Sequence, residues 1–233
     1  MQSPVRPTRT PAPVSATALT ASVAAALSLV LLVLVATAWT PLLSLDVAIA
    51  RALHHSALTE PGFTEANRVL SNWVWDPWTI RALLAAAVIL LLWRGERLQA
   101  LWVAGASALG TLVQQSLKSA VGRERPHWEQ PLDTAQYAAF PSGHAMTATV
   151  VCGLVLWLLG REGVGPRVWW AAVLVAAVSV LGVGFTRLYL GVHWFTDVVG
   201  GWLLGICVVA LAIASYERFG SGGSGTPGPG ARR

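Results

Sequence analysis

Six apolar runs divide the chain, and each is long enough, or nearly so, to cross a lipid bilayer as a helix. A membrane-spanning helix needs about 20 predominantly apolar residues. The six runs cover residues 17–39, 77–93, 98–117, 143–160, 168–186 and 192–214. This pattern predicts an all-α fold in which six transmembrane helices form a bundle.

The composition also indicates a membrane protein. Hydrophobic residues make up 55% of the 233 residues and charged residues only 12%, whereas a soluble domain carries about 25% charged residues. The net charge of +5 raises the question of nucleic acid binding. We exclude that class of partner, because the basic residues lie mostly in short connections between the apolar runs. Such a distribution orients a chain in a bilayer.

The arginine-rich connections predict that orientation. Arginines occur in the N-terminal tail, in the 94–97 and 161–167 connections, and in the C-terminal tail. With six spans these four segments lie on one side, and the positive-inside rule makes that side cytoplasmic. We therefore expect an integral plasma membrane protein with both termini in the cytoplasm. The segments expected to face outward cover residues 40–76, 118–142 and 187–191.

A single membrane domain, residues 17–218, is expected between two disordered tails. The tails, residues 1–16 and 219–233, are rich in Pro, Ser, Thr and Gly. Two short segments between the first and second spans, residues 44–58 and 62–76, are predicted to form interfacial helices near the membrane surface. The apolar face predicted for the first of them consists of Val47, Ile49, Ala50 and Leu53. The neighbouring histidines His54 and His55 are expected to be solvated.

Three polar motifs lie at the outward ends of the spans. They are K-x6-R-P at residues 118–126, P-S-G-H at residues 141–144, and R-x5-H-x3-D at residues 187–197. An ionisable group at the centre of a membrane helix costs about 2.5–3.5 kcal/mol on insertion scales, so these groups are expected to be functional. The candidate site residues are Lys118, Arg125, Ser142, Gly143, His144, Arg187, His193 and Asp197.

A phosphoryl group suits this set of residues. Lys118, Arg125 and Arg187 can neutralise its equatorial oxygens. The pair Ser142–Gly143 opens a helix, whose free N–H groups and dipole favour an anion. Glycine also allows the backbone to approach the ligand closely.

The two histidines can act as nucleophile and general acid. His193 and Asp197 are four residues apart, so on a helix they would lie on one face. The carboxylate can then orient the imidazole and stabilise its cationic form. Asp197 is the only carboxylate inside the predicted spans, and supporting His193 is its most economical role.

Taken together, the three motifs resemble those of the type 2 phosphatidic acid phosphatase family, whose signature also occurs in vanadium haloperoxidases and bacterial acid phosphatases. By this resemblance, His193 is the nucleophile that forms a phosphohistidine, Asp197 supports it, and His144 protonates the leaving oxygen and then activates water. The residues that the resemblance implies in phosphate binding are Lys118, Arg125, Ser142, Gly143 and Arg187. No metal and no cofactor are implied. Thr186 stands where the family often has serine, and it keeps the hydroxyl.

Several alternatives stay open at this point. His193 and Asp197 could be metal ligands or a buried polar pair between helices. Among functions, the same residues could serve a lipid phosphotransferase, a proton-coupled transporter or a haloperoxidase. The expected partners are the bilayer and a lipid phosphate or diphosphate, such as phosphatidic acid, phosphatidylglycerol phosphate or polyprenyl diphosphate. An outward-facing site favours a headgroup that is exposed on that side, such as a recycled polyprenyl carrier.

The remaining charged residues and the one histidine of the 118–142 loop are expected to be solvated. They are Arg123, Glu124, His127, Glu129 and Asp133. Near the start of the sixth span, Gly201 and Gly205 form a G-x-x-x-G motif. Small residues at this spacing predict close packing of two helices.

Overall fold

Helices form almost the whole fold, as predicted. The computed structural model describes residues 16–220, and these residues contain no β-strand. The α-helices are α1 Ala16–Ala36, α2 Thr40–Thr59, α3 Pro61–Val69, α4 Pro77–Trp93, α5 Arg97–Val121, α6 Gly143–Arg161, α7 Pro166–Tyr189 and α8 Phe195–Phe219. A π-helical turn, Leu70–Val74, lies between α3 and α4. Apart from Ala16, Phe219 and Gly220, the predicted tails lie outside the described residues.

Local chemistry explains several helix ends. Helices α2, α3, α4 and α7 each have a proline in the first turn, where its missing N–H group costs no hydrogen bond. The Asp76 carboxylate caps α4 by accepting hydrogen bonds from the amides of Trp78 at 2.8 Å and Thr79 at 3.3 Å. Helix α5 ends at Gly122, whose φ of 58° is in the left-handed region that glycine adopts without strain.

Helix α6 lies at the centre of the bundle. It contacts α4, α5, α7 and α8, and α8 in turn packs against α1. A Cβ atom on Gly201 would lie 2.7 Å from the backbone oxygen of Ser142, and one on Gly205 would lie 2.7 Å from the Cβ of Thr149. The predicted close packing at this G-x-x-x-G motif is therefore confirmed. It fixes the beginning of α8 against the beginning of α6.

Fewer helices than predicted are both long and apolar enough to cross a membrane. Within residues 16–220 there are five such stretches: Ala16–Ala36, Pro61–Trp93, Gly143–Arg161, Pro166–Tyr189 and Phe195–Phe219. The second of them includes α3, the π-helical turn and α4. Helix α5 is not among the five, because its glutamines and its lysine lower its mean hydropathy. Its 25 residues would nevertheless extend about 37 Å.

Helices α2 and α3 occupy the place where short interfacial helices are predicted. The fully buried residues of α2 are Asp46, Ala50, His54 and Ala57. Of the four residues predicted to form the apolar face of this helix, only Ala50 is therefore fully buried. The His54 ring stacks on Trp128, with ring centroids 3.9 Å apart. The prediction of a solvated His54 is therefore wrong, because the loop between α5 and α6 folds back over α2. His55 is exposed, as predicted.

Candidate active site

A polar cavity of about 530 Å³ lies where the end of α5, the beginning of α6 and the end of α7 meet. Six of the eight predicted site residues line it: Lys118, Arg125, Gly143, His144, Arg187 and His193. The other two, Ser142 and Asp197, are fully buried behind the cavity wall. Three motifs that are far apart in the sequence are thus brought together at one end of the bundle.

His193 and Asp197 form a buried pair at the beginning of α8. His193 precedes the helix rather than lying on it, and its Nδ1 is 3.3 Å from Asp197 Oδ2. The same carboxylate oxygen accepts a hydrogen bond from the Trp194 amide at 2.9 Å. A carboxylate can only accept, so Nδ1 carries the proton and Nε2 keeps its lone pair. The His193 ring therefore presents Nε2 as a nucleophile.

The surroundings of His193 keep its imidazole neutral. Burial lowers its pKa well below the usual value, and the positive charges of Arg125, Arg187 and Lys118 lower it further. Arg125 is the nearest of these cations, with an Nη1 atom 3.2 Å from His193 Nε2. A neutral imidazole beside several cations is suited to attack an anionic phosphorus centre.

Backbone carbonyl groups hold Arg125 and Lys118 in place. Arg125 donates hydrogen bonds to the carbonyl oxygens of Tyr137 at 2.9 Å, Gln136 at 3.0 Å and Val192 at 2.6 Å. Lys118 donates from Nζ to the carbonyl oxygen of Ala138. The loop before α6, together with Val192 after α7, therefore positions the two cations without neutralising their charges.

Arg187 is held differently, by side chains. Its guanidinium donates to Ser71 Oγ at 2.8 Å and lies 3.4 Å from Asp133 Oδ2. The Asp133 side chain is only 14% exposed, so the prediction that it is solvated is wrong. Arg187 Nε is buried and has no hydrogen-bond partner among the described residues. This N–H group is a donor available to a bound oxyanion.

The beginning of α6 completes the phosphate-binding geometry. Ser142 is the N-cap of α6, and its Oγ accepts from the amide of Ala145 at 3.5 Å. A Cβ atom on Gly143 would lie 2.7 Å from Gln114 Nε2, so a larger residue there would displace this glutamine. His144 follows in the first turn and lines the cavity. The free amides of this turn and the helix dipole favour an anion at this position.

Arg123 is the main site residue that sequence reasoning missed. Its guanidinium donates to Asp197 Oδ1 at 2.6 Å and to Asp46 Oδ2 at 2.7 Å, and its side chain is 11% exposed. Asp46 also accepts from the amide and the hydroxyl of Thr196, at 2.9 and 2.6 Å. The prediction of a solvated Arg123 is wrong, because α2 supplies a buried carboxylate that no local motif reveals. Arg123 thus holds the second oxygen of the carboxylate that contacts His193.

Other cavity-lining residues lie outside the three motifs. Gln114 precedes Lys118 by one turn of α5 and is 6% exposed. Arg81 also lines the cavity. It lies in the apolar run of α4, and its charge within that run is the one sequence signal that could have identified it as a site residue.

The predicted exposure of Glu124, His127 and Glu129 is confirmed. Within residues 16–220 no three His, Cys, Asp or Glu side chains are grouped as metal ligands.

Comparison with known proteins agrees with the resemblance of the motifs. A family model, the PAP2 superfamily, matches residues 99–221. The chain is 33% identical over 109 residues to a Bacillus subtilis protein named phosphatidylglycerophosphatase B, an alignment covering 46% of this chain and 53% of that protein. It is 31% identical over 175 residues to a Mycobacterium tuberculosis protein named decaprenylphosphoryl-5-phosphoribose phosphatase, covering 71% of this chain and 88% of that one.

The fold is also similar to a solved structure, the crystal structure of a transmembrane PAP2 type phosphatidylglycerolphosphate phosphatase from Bacillus subtilis. The TM-score is 0.75 at 24% sequence identity, and the match covers 86% of this chain and 97% of that chain. Together with the apolar helices, this similarity indicates a multi-pass membrane protein. The family model covers more than half of the 233 residues, and the mycobacterial relative is matched over most of its length. The chain therefore belongs to the PAP2 superfamily.

Proposed function

We propose that the chain is an integral-membrane phosphatase that hydrolyses a lipid phosphate or diphosphate through a phosphohistidine at His193. The observation that carries this proposal is the buried pair of His193 and Asp197 beside a cavity whose lining includes the cations Lys118, Arg125 and Arg187. A neutral nucleophile, a carboxylate that orients it and a set of positive charges are what an in-line attack on phosphorus requires.

The reaction follows in two steps. In the first, His193 Nε2 forms a bond to phosphorus while the bond to the leaving oxygen breaks, and His144 gives that oxygen a proton. Asp197 stabilises the cationic imidazole that results. In the second step His144 takes a proton from water, whose oxygen attacks the phosphohistidine and releases inorganic phosphate. The side-chain cations and the amides at the beginning of α6 hold the three equatorial oxygens throughout.

The names of the relatives support a lipid as the substrate. The Bacillus subtilis and Mycobacterium tuberculosis proteins are both named as phosphatases that act on lipid phosphates. Phosphate release from phosphatidic acid, phosphatidylglycerol phosphate and a polyprenyl diphosphate by the purified protein in detergent tests the proposal. We expect release from at least one lipid, and transfer to an added lipid acceptor would instead indicate a phosphotransferase. Failure to release or transfer phosphate from any of the three would contradict it.

The proposed topology has six spans, with α5 as the third, both termini in the cytoplasm and the cavity on the outer face of the plasma membrane. Helix α5 supports this topology because it packs against α4, α6 and α8, with Gln99 and Gln114 buried.

Cysteine labelling in intact cells checks this orientation. Glu129→Cys in the exposed loop before α6 should react with a membrane-impermeant maleimide. The matched control, Glu96→Cys in the exposed connection before α5, should not react until the membrane is permeabilised. The opposite pattern would move the cavity to the cytoplasmic face.

The proposed reaction needs no divalent cation, because side chains already supply positive charge around the phosphate. A chelator should therefore leave the rate of phosphate release unchanged. Vanadate should inhibit competitively, since it mimics five-coordinate phosphorus. If activity is lost in the chelator and one added metal restores it, this part of the proposal is wrong.

Lys118 is the one lysine among the 16 basic Lys and Arg residues, and its replacement by arginine should impair catalysis. Its side chain is 7% exposed, and the carbonyl to which it donates also accepts a 3.5 Å bond from Arg125. A second guanidinium is wider and donates in a fixed fork, so it would be misplaced here.

We expect Lys118→Arg to lower kcat/KM by about tenfold or more, which corresponds to about 1.4 kcal/mol of transition-state stabilisation. Lys118→Met, which keeps the stem and removes the charge, measures the full contribution of the charge. An unchanged kcat/KM for Lys118→Arg would show that charge alone is sufficient at this position.

A further inference from the structure

Arg81 contributes a further positive charge to the wall of the cavity, and neither the motifs nor the proposed reaction steps use it. It is the fifth residue of α4, about 6 Å from the beginning of the helix. Its half-buried side chain lines the same cavity as Lys118, Arg125 and Arg187.

The guanidinium of Arg81 has no carboxylate partner. Among the described residues no ion pair includes it, and its one hydrogen bond runs from Nη2 to Thr147 Oγ1 at 3.3 Å. Asp76 lies on the same cavity wall, but its carboxylate accepts from the amides of Trp78 and Thr79 at the cap of α4. An arginine inside an apolar helix is costly unless it contacts an anion or lines a polar cavity.

The hydrogen bond to Thr147 places Arg81 near His144, the residue that protonates the leaving oxygen in the proposed reaction. Its partner Thr147 follows His144 by three residues on α6, so the two side chains are on adjacent turns of one helix face. In the proposed reaction His144 protonates the leaving oxygen, while Arg125 contacts His193, the nucleophile. An anion held by Arg81 would therefore belong to the leaving group and not to the phosphoryl group that is transferred.

We infer that Arg81 binds a second phosphate, carried by the leaving group, and that the substrate is a lipid with two phosphates. This inference rests on the proposed function. In a polyprenyl diphosphate, the bond from His193 forms to the terminal phosphorus, the bond to the bridging oxygen breaks, and the lipid monophosphate leaves with a proton from His144. In phosphatidylglycerol phosphate, the leaving group carries its phosphate as a diester. Phosphatidic acid has no second phosphate for Arg81 to bind.

Two matched pairs of substrates test the inference and distinguish these sources. The pairs are farnesyl diphosphate against farnesyl phosphate, and phosphatidylglycerol phosphate against phosphatidic acid. For each pair the measured quantity is the ratio of kcat/KM for the lipid with two phosphates to that for the lipid with one. We expect the wild type to have the higher kcat/KM for the lipid with two phosphates in at least one pair. Arg81→Gln should lower the ratio for that pair about tenfold or more, as loss of a charge-assisted hydrogen bond predicts.

Two further variants serve as controls. Arg81→Lys should keep part of the preference because it keeps the charge. Arg51→Gln removes one exposed positive charge from α2 and should leave the ratio unchanged. An unchanged ratio in Arg81→Gln, or an equal loss in Arg51→Gln, would overturn the inference.

A binding measurement separates this inference from the proposed reaction. In His193→Ala, inorganic pyrophosphate should raise the midpoint of thermal unfolding more than inorganic phosphate does. Adding Arg81→Gln should remove that difference, and equal stabilisation by the two anions in His193→Ala would overturn the inference. The two proposals can fail separately. If pyrophosphate stabilises His193→Ala more than phosphate does, and this difference depends on Arg81, the second phosphate site is supported. If the wild type nevertheless hydrolyses none of the four lipids, the proposed hydrolysis is wrong.

Discussion

Replacement of His193 by alanine should lower kcat for phosphate release by about 10⁴-fold or more, as removal of a catalytic nucleophile does in other enzymes. His193 is 2% exposed, and Asp197 holds its ring with Nε2 toward the cations. No other histidine of the described residues has this arrangement, so we expect no substitute nucleophile. Initial rates with the best lipid substrate measure the effect.

His127→Ala is the matched control for this experiment. His127 lies exposed in the loop before α6, close in sequence to Arg125, and it should be replaceable without loss of activity. Near-normal turnover in His193→Ala would contradict the mechanism. A comparable loss in His127→Ala would show that any histidine change in this region disrupts the fold.

Replacement of Arg123 by alanine should have the largest effect on stability. The change leaves the carboxylates of Asp46 and Asp197, which are 1% and 0% exposed, without their shared cation. Breaking a buried ion pair by removing one partner typically costs about 3–5 kcal/mol. We therefore expect a large fall in the free energy of unfolding in detergent, and a fall in kcat because the Asp197 carboxylate is no longer held.

Arg94→Ala provides the comparison for Arg123. Arg94 also makes two hydrogen bonds to carboxylate oxygens, both of Glu162, at 3.1 and 3.0 Å, but the two side chains are 51% and 42% exposed. Exposed pairs contribute about 0–1 kcal/mol, so this variant should be nearly as stable as the wild type. Equal effects of the two substitutions would show that burial of the Arg123 network contributes little.

The predictions from sequence succeeded where the signal is local. Apolar runs predict helices because each span satisfies its own backbone hydrogen bonds. The G-x-x-x-G motif predicts close packing because the glycines recur on one helix face. The motif residues were found together because each lies at or close to the end of a helix, and the alternating directions of α5 to α8 bring those ends to one side.

The misses involve contacts between residues that are far apart in the chain. Arg123 is 77 residues from Asp46 and 74 from Asp197, and its neighbours in sequence give no sign of either partner. Asp133 is 54 residues from Arg187, and it lies in a loop whose composition is typical of solvated segments. The path of the loop between α5 and α6 brings Asp133 to Arg187 on α7, and it brings Trp128 onto His54 of α2. Such tertiary contacts have no counterpart in periodicity or spacing.

Trapping the phosphohistidine on His193 tests the proposed mechanism. His144→Ala should still accept a phosphoryl group from an aryl phosphate, whose leaving group needs no acid, but should release it slowly because water is not activated. Rapid quenching at alkaline pH, followed by mass spectrometry of the peptides, locates the phosphoryl group. We expect to find it on His193. Phosphate on another residue, or turnover of the same substrate by His193→Ala at a near-normal rate, would contradict it.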